Sequence, residues 1–216
     1  MAQRVHVAIV LDRSGSMEDC RADAIGAVNS YLRQVRDDRE LNARISLITF
    51  DSDSIDTIRD RVPGATCPEL KAQEYQPRSS TPLLDAVGHA AGLLDQLSDP
   101  GERRILAVMT DGLENASKEY SRERLRSLLD RRQKEENWLV LYLGAGHDSW
   151  AQAREIGVNA GNVAHFAKAS IAATAGVMHA RAKRFASAPD AALEAASGGF
   201  TEAERDKLVG ESKPAA

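Results

Sequence analysis

Two apolar runs of strand type, each ending in an acidic motif, constrain this chain more than any other feature. Val5-His6-Val7-Ala8-Ile9-Val10-Leu11 leads into Asp12-Arg13-Ser14-Gly15-Ser16, and Arg104-Ile105-Leu106-Ala107-Val108-Met109 leads into Thr110-Asp111-Gly112. Runs this continuous and rich in Val and Ile read as central strands of a parallel sheet, buried on both faces. In open parallel sheets ligands sit beyond the carboxyl ends of the strands, where the strand order reverses. Both acidic motifs are therefore expected on one rim. Two carboxylates and two hydroxyls meeting there, with no His or Cys, describe an all-oxygen site for a hard divalent cation. Gly112 is expected to permit a turn that other residues would resist.

The rest of the chain reads as alternating helices and strands. Ile25, Val28, Leu32 and Val35 have helical spacing within Met17 to Arg36. Asn42 to Asp51 is a second strand. Ile55 to Val62 is a weaker, charged one, expected at the sheet edge and antiparallel to its neighbour. Pro63 to Arg78 reads as a loop with one helical turn near Pro68 to Gln73. Thr81-Pro82 has the composition of a helix start, Thr as cap and Pro at the first position. Leu83, Leu84, Val87, Ala91, Leu94 and Leu97 make that helix's apolar stripe, and it should stop near Ser98 to Gly101. Ser121 to Glu136 is expected to be helical with Leu125, Leu128 and Leu129 inward. Its many arginines interleave with acids, as on a solvated face. Trp138 to Leu143 is another buried strand. The Gly144-Ala145-Gly146 that closes it lacks the third glycine and downstream acid of a dinucleotide site. Asp148 is expected to cap a short helix ending at Gly157, Asn162 to Phe166 to form a last strand, and Ser170 to Phe185 a final helix.

Asp12-x-Ser14-x-Ser16, a threonine in Ser79-Ser80-Thr81-Pro82 and Asp111 in Thr-Asp-Gly together resemble the metal ion-dependent adhesion site of a von Willebrand factor A domain. All five positions stand in the expected order, and the resemblance runs from about Val5 to Phe166. It implies an α/β, three-layer Rossmann-like fold: a mostly parallel sheet of about six strands, one antiparallel edge strand, and helices on both faces. It implies metal ligands Asp12, Ser14, Ser16, Thr81 and Asp111. It also implies magnesium, with manganese or calcium as alternatives, and a protein partner that presents an Asp or Glu to the ion. That is binding, not catalysis. Many relatives carry glycines just before the threonine, where this chain has Ser79-Ser80, so the loop or a serine is expected to meet the ligand differently. Movement of the last helix, Ser170 to Phe185 here, is a further implication for a site that switches affinity.

Other readings follow from the residues alone. Asp12 at the end of the first strand would suit a metal-dependent hydrolase or phosphotransferase, but Ser14 stands where a second acid would be expected and no lysine is placed by motif. A site that binds no metal and serves structure is the third reading. Arg13 is expected to face solvent, with steering of an acidic partner as the alternative. The five histidines are scattered without ligand spacing, each expected to be satisfied or exposed, with His147 alone near the rim. A serine nucleophile without a neighbouring His is disfavoured.

With 216 residues the chain is long enough for one α/β domain with extra material. Residues 1–186 are expected to form that domain, and 187–216, rich in Ala, Ser, Gly and charge, a flexible tail, within which Asp190 to Ser197 could make a helical turn or two. A net charge of −4 gives no argument for nucleic acid. No apolar run has membrane-spanning length, and Met1 to Arg4 do not read as a signal peptide, so none is expected. Cys20 and Cys67 read as free thiols. Together these suggest a cytoplasmic, bacterial protein.

Overall fold

The computed structural model describes residues 4–136, 138–145, 149–165 and 171–209. Its centre is a six-stranded sheet in the order β3-β2-β1-β4-β5-β6. The strands are β1 (Arg4–Asp12), β2 (Asn42–Phe50), β3 (Ile55–Pro63), β4 (Arg103–Thr110), β5 (Leu139–Gly144) and β6 (Val163–His165). β3 alone runs antiparallel to its neighbour. The sheet grows outward in two directions from the β1–β4 pair, so the strand order reverses there. This is a von Willebrand factor A-like α/β fold, as the sequence implies.

β1 shows why both faces are covered. Its side chains alternate between two cores. Val5, Val7, Ile9 and Leu11 join one cluster with α1 (Arg21–Asp37) and α5 (Ile171–Ser187), while Ala8 and Val10 join the other. The second cluster is closed by α2 (Leu83–Leu97), α3 (Arg122–Glu135) and α4 (Ser149–Glu155). On α3, Leu125 and Leu129 are buried and Leu128 is partly so. The loop after β3 holds two short turns, Gly64–Thr66 and Ala72–Glu74. Asn29 on α1 pins it with both ends of its amide, donating to the Leu70 carbonyl at 2.9 Å and accepting from the Leu70 N–H at 2.7 Å.

His6 is a polar residue within β1's apolar run. It is fully buried, with Nδ1 3.0 Å from Ser98 Oγ and Nε2 2.8 Å from Ser46 Oγ. Burial lowers its pKa to about 4, and Arg61, Arg44 and Arg104 push the same way. His89 and His179 likewise have partners, Thr57 at 2.9 Å and Asp38 at 3.1 Å. Gly146, His147, Asp148 and Phe166 lie outside the described residues.

The C-terminal segment differs from the flexible tail that its composition suggests. Leu193 and Ala196 on α6 (Leu193–Ala196), Phe200, and Leu208 on α7 (Glu202–Val209) are buried in the α1/α5 core. Arg181 of α5, wholly buried, reaches across to the Gly199 carbonyl at 2.9 Å and to Asn162 Oδ1 at 2.6 Å. Phe200 N–H donates to the Gly161 carbonyl at 2.7 Å, and a Cβ on Gly161 would lie only 2.7 Å from Gly199 Cα. Four widely separated anchors and a glycine–glycine contact dock this segment. The anchors are few and set among Ala, Ser, Gly and charged residues, so composition alone gives little sign of them. Residues 210–216 are outside the described ones. Among the described residues no helix is long and apolar enough to cross a membrane.

Two outcomes are expected. Phe200→Ala should cost about 3 kcal/mol in urea unfolding, where a loose tail would show none. His6 binds fewer protons folded than unfolded between its lowered pKa of about 4 and the ordinary 6.5, so stability should fall as pH drops through that window. The loss from pH 7 to 5 should be about 2 kcal/mol, and His6→Gln should remove that share of the slope.

Candidate metal centre

The crevice lies where β1 and β4 part. Asp12 is the last residue of β1 and Asp111 follows β4 directly. Asp12 is fully buried. Its Oδ1 accepts the Ser14 N–H at 2.7 Å, and its Oδ2 accepts the Thr110 hydroxyl. Its backbone carbonyl accepts the Tyr75 hydroxyl at 2.6 Å. Burial pushes the Asp12 pKa up to about 6; the Thr110 and Ser14 hydrogen bonds oppose the rise, and the Asp111 charge adds to it.

The motif hydroxyls gather around these carboxylates. Ser14 Oγ is 3.1 Å from Ser16 Oγ, and Ser16 Oγ donates to Asp111 Oδ1 at 2.6 Å. Thr81 arrives from the other side. A Cβ on Gly112 would stand 2.8 Å from Thr81 Oγ1 and 3.3 Å from Asp12 Oδ2, so both oxygens border one small space beside Gly112. All five sequence-predicted residues therefore converge on one crevice. Ser14 and Thr81 are buried, Ser16 is exposed and Asp111 is half-buried, so the cluster opens outward along its Ser16–Asp111 edge.

Three expectations change in detail. Thr81 is not the cap of α2. The helix begins at Leu83 with Pro82 at the cap position and no side-chain cap bond there. Its free amides are met instead by Glu114 Oε2, which accepts Leu84 N–H at 3.0 Å, and Ser117 Oγ, which accepts Asp85 N–H at 3.2 Å. The Thr81 hydroxyl is thus spared from capping, while its backbone is fixed by two bonds with Asn115, at 2.8 and 3.1 Å.

Gly112 is needed for space and not for an unusual backbone. The described glycines with positive φ are Gly101 and Gly157, whereas at Gly112 any side chain would press on Thr81 Oγ1.

Arg13 neither faces solvent nor is free to steer a partner. Only 7% exposed, it bonds Asp51 at 2.7 Å, Asp56 at 2.9 Å and Ser54 at 2.9 Å. Asp51 is buried too. Burial works against its charge, but the N–H groups of Asp53 and Ser54 and the guanidiniums of Arg78 and Arg13 prevail and hold its pKa low.

The Ser79-Ser80 departure also has a structural counterpart. Ser79 has φ +57°, a left-handed conformation that glycine adopts more easily. Its carbonyl accepts the Gly15 N–H at 3.1 Å and so joins the two motif loops. Residues that sequence reasoning missed are Tyr75, Thr110, Asn115 and Gln152. Thr110 stood inside the quoted motif, but Tyr75, Asn115 and Gln152 act from separate elements and carry no local signal.

The donor set fits a hard divalent ion: two carboxylates and three hydroxyls, all oxygen. Among the described residues there is no group of three or more His, Cys, Asp and Glu placed to hold a metal ion. Both Asp12 oxygens already accept a hydrogen bond, so its charge would reach an ion most readily through water.

Comparison with known proteins bears on the fold. No protein-family model matches the chain, and a search of curated proteins finds no match. Solved structures do match. A von Willebrand factor type A protein from Catenulispora acidiphila aligns with TM-score 0.61 and 14% identity, covering 85% of this chain and 43% of that one. The PilB minor pilin from Streptococcus sanguinis aligns with TM-score 0.57 and 12% identity over 88% of this chain and 64% of that one. The manganese-loaded TRAP protein of Plasmodium vivax aligns with TM-score 0.54 and 15% identity over 80% and 72%. At these identities the likeness is one of fold. The chain spans less than half the length of the Catenulispora protein.

The glycine argument gives a paired test. Gly112→Ala should destabilise the chain by about 1–3 kcal/mol through overpacking against Thr81. Gly26→Ala, on α1 where an added Cβ meets nothing within 4 Å, should stabilise it by about 0.5–1 kcal/mol. Chemical denaturation of the two variants distinguishes them.

Proposed function

We propose that this chain is a divalent-cation-dependent protein-binding module, with Asp12, Ser14, Ser16, Thr81 and Asp111 holding the ion. The observation that carries the reading is the convergence of these oxygens from three separate loops on the switch point of the sheet. The manganese-loaded state of the TRAP structure, similar in fold, supports it. Magnesium is the expected ion, with manganese or calcium as substitutes.

The chain's own residues set what such a site does. Hydroxyls are neutral donors, and with Asp12 acting through water few carboxylates would touch the ion directly, leaving it electron-poor and ready to accept a carboxylate from outside. The partner is therefore a protein presenting Asp or Glu, and it approaches along the open Ser16–Asp111 edge. Asp12 is ill placed to act as a nucleophile: it is fully buried, and both of its oxygens are engaged by Ser14 and Thr110. Ser14 and Ser16 are tied to each other and to Asp111 rather than activated. This favours binding over the hydrolase or phosphotransferase alternative. A cytoplasmic, bacterial setting remains part of the proposal.

A thermal melt tests it. Manganese or magnesium at about 100 times its dissociation constant should add roughly 2.7 kcal/mol to the folded state. For a chain of this size that is a rise on the order of 5–10 °C over chelator. Asp12→Ala should abolish the rise, and its absence in the wild type at millimolar metal would defeat the reading.

A further inference from the structure

Leu113 stands beside the opening of the candidate site, two residues past Asp111. It is 52% exposed, and the only other exposed large hydrophobic among the described residues is Trp150. Trp150 has an internal use, its ring lying under the Arg205 guanidinium at 5.2 Å. Leu113 belongs to neither core cluster, nor to the partly buried residues packed on them.

Its exposure is built in by its flanks. The buried amide of Gln152 grips the chain on both sides, donating from Nε2 to the Gly112 carbonyl at 3.1 Å and accepting Glu114 N–H on Oε1 at 2.6 Å. The same Nε2 is 2.6 Å from the Tyr142 hydroxyl, which anchors the amide to β5. Glu114 is fixed in turn to the start of α2, and Asn115 to the Thr81 backbone. Leu113 cannot turn into the core without breaking these bonds. A rigidly displayed leucine adds apolar contact at little ordering cost.

We propose that Leu113 is a specificity contact for the partner: it receives a large aliphatic or aromatic side chain within two positions of the Asp or Glu that reaches the metal. The inference rests on the metal-binding reading above. Two residues of chain span at most about 7 Å, which places Leu113 within reach of the residues flanking the acid in an extended segment. Glu18 and Asp19 are both exposed on the same short turn, Gly15–Cys20, as the ligand candidate Ser16. They disfavour a segment with several acids. The chemistry that fits is a single carboxylate with an apolar neighbour, not an acidic run.

Selection of a random linear peptide display library on the full chain with manganese, counter-selected in chelator, tests this. Chelator-sensitive binders should carry one Asp or Glu with a large apolar residue within two positions. Leu113→Ser should weaken them about tenfold while leaving the manganese-dependent thermal shift intact. Chelator-sensitive acidic binders with no apolar neighbour, or ones that bind the Leu113→Ser chain equally well, would overturn the role of Leu113 and leave the metal site standing. A wild-type chain with neither a thermal shift nor any chelator-sensitive binder would remove both.

Discussion

A carboxylate buried at the end of β1 is the constraint around which this molecule is arranged. Asp12 sits between β2 and β4, where the sheet divides, and an ionised group there is costly unless its oxygens are met. Ser14 N–H meets one and the Thr110 hydroxyl the other, so the first motif loop and the end of β4 are joined through a single side chain. The Tyr75 hydroxyl holds the Asp12 carbonyl from the loop after β3. Burial still raises the pKa of this group to about 6. A nearby cation would oppose that effect by favouring the charged form, so the one energetically awkward group in the crevice is also the one that a cation would relieve.

A second buried charge system holds the loop that delivers Thr81. Arg13 and Arg78 share Asp51, and Arg78 N–H donates to the Arg13 carbonyl at 2.9 Å. Ser52 N–H reaches the Ser80 carbonyl at 3.0 Å. Such pairs contribute little net stability, because desolvation offsets attraction, yet removing one partner strands the other. Their effect here is positional. They set the 78–81 loop against the end of β2, and Asn115 sets it against the loop after β4. Thr81 is consequently held from both sides without spending its hydroxyl on the helix it precedes.

Much of this was legible in the sequence because it rests on local pattern. Continuous Val and Ile runs identified β1 and β4, charge at Ile55–Val62 identified the edge strand, and motif order brought five ligand candidates to one rim. What escaped was every feature decided by a distant partner. Arg13 looked like a surface residue until Asp51 and Asp56 were placed beside it. Thr81-Pro82 looked like a cap until Glu114 supplied that function from thirty residues on. Gly112 suggested backbone freedom, and its true constraint is the Thr81 side chain. Leu193, Ala196, Phe200 and Leu208 are a sparse set among Ala, Ser, Gly and charged residues, and their burial depends on docking against α1 and α5 rather than on a local signal.

The contrast between the inner and outer parts of the crevice bears on what it can recognise. Its inner wall, Asp12, Ser14 and Thr81, is buried and cross-bonded to three different elements, so its donors cannot rearrange independently. Its outer edge, Ser16 and Asp111, is open to solvent and linked by one hydroxyl–carboxylate bond of 2.6 Å. On the proposed reading, an incoming carboxylate would meet a fixed back and an accessible front. A rigid inner shell also keeps the ordering cost of binding low. Discrimination among acidic partners would then fall to the residues displayed around the opening, because a carboxylate alone carries no information beyond its charge. The bonds from Gln152 that keep Leu113 outside the core would make the two proposed tasks separable: the buried oxygens would hold the ion, and the exposed loop would read what accompanies the acid.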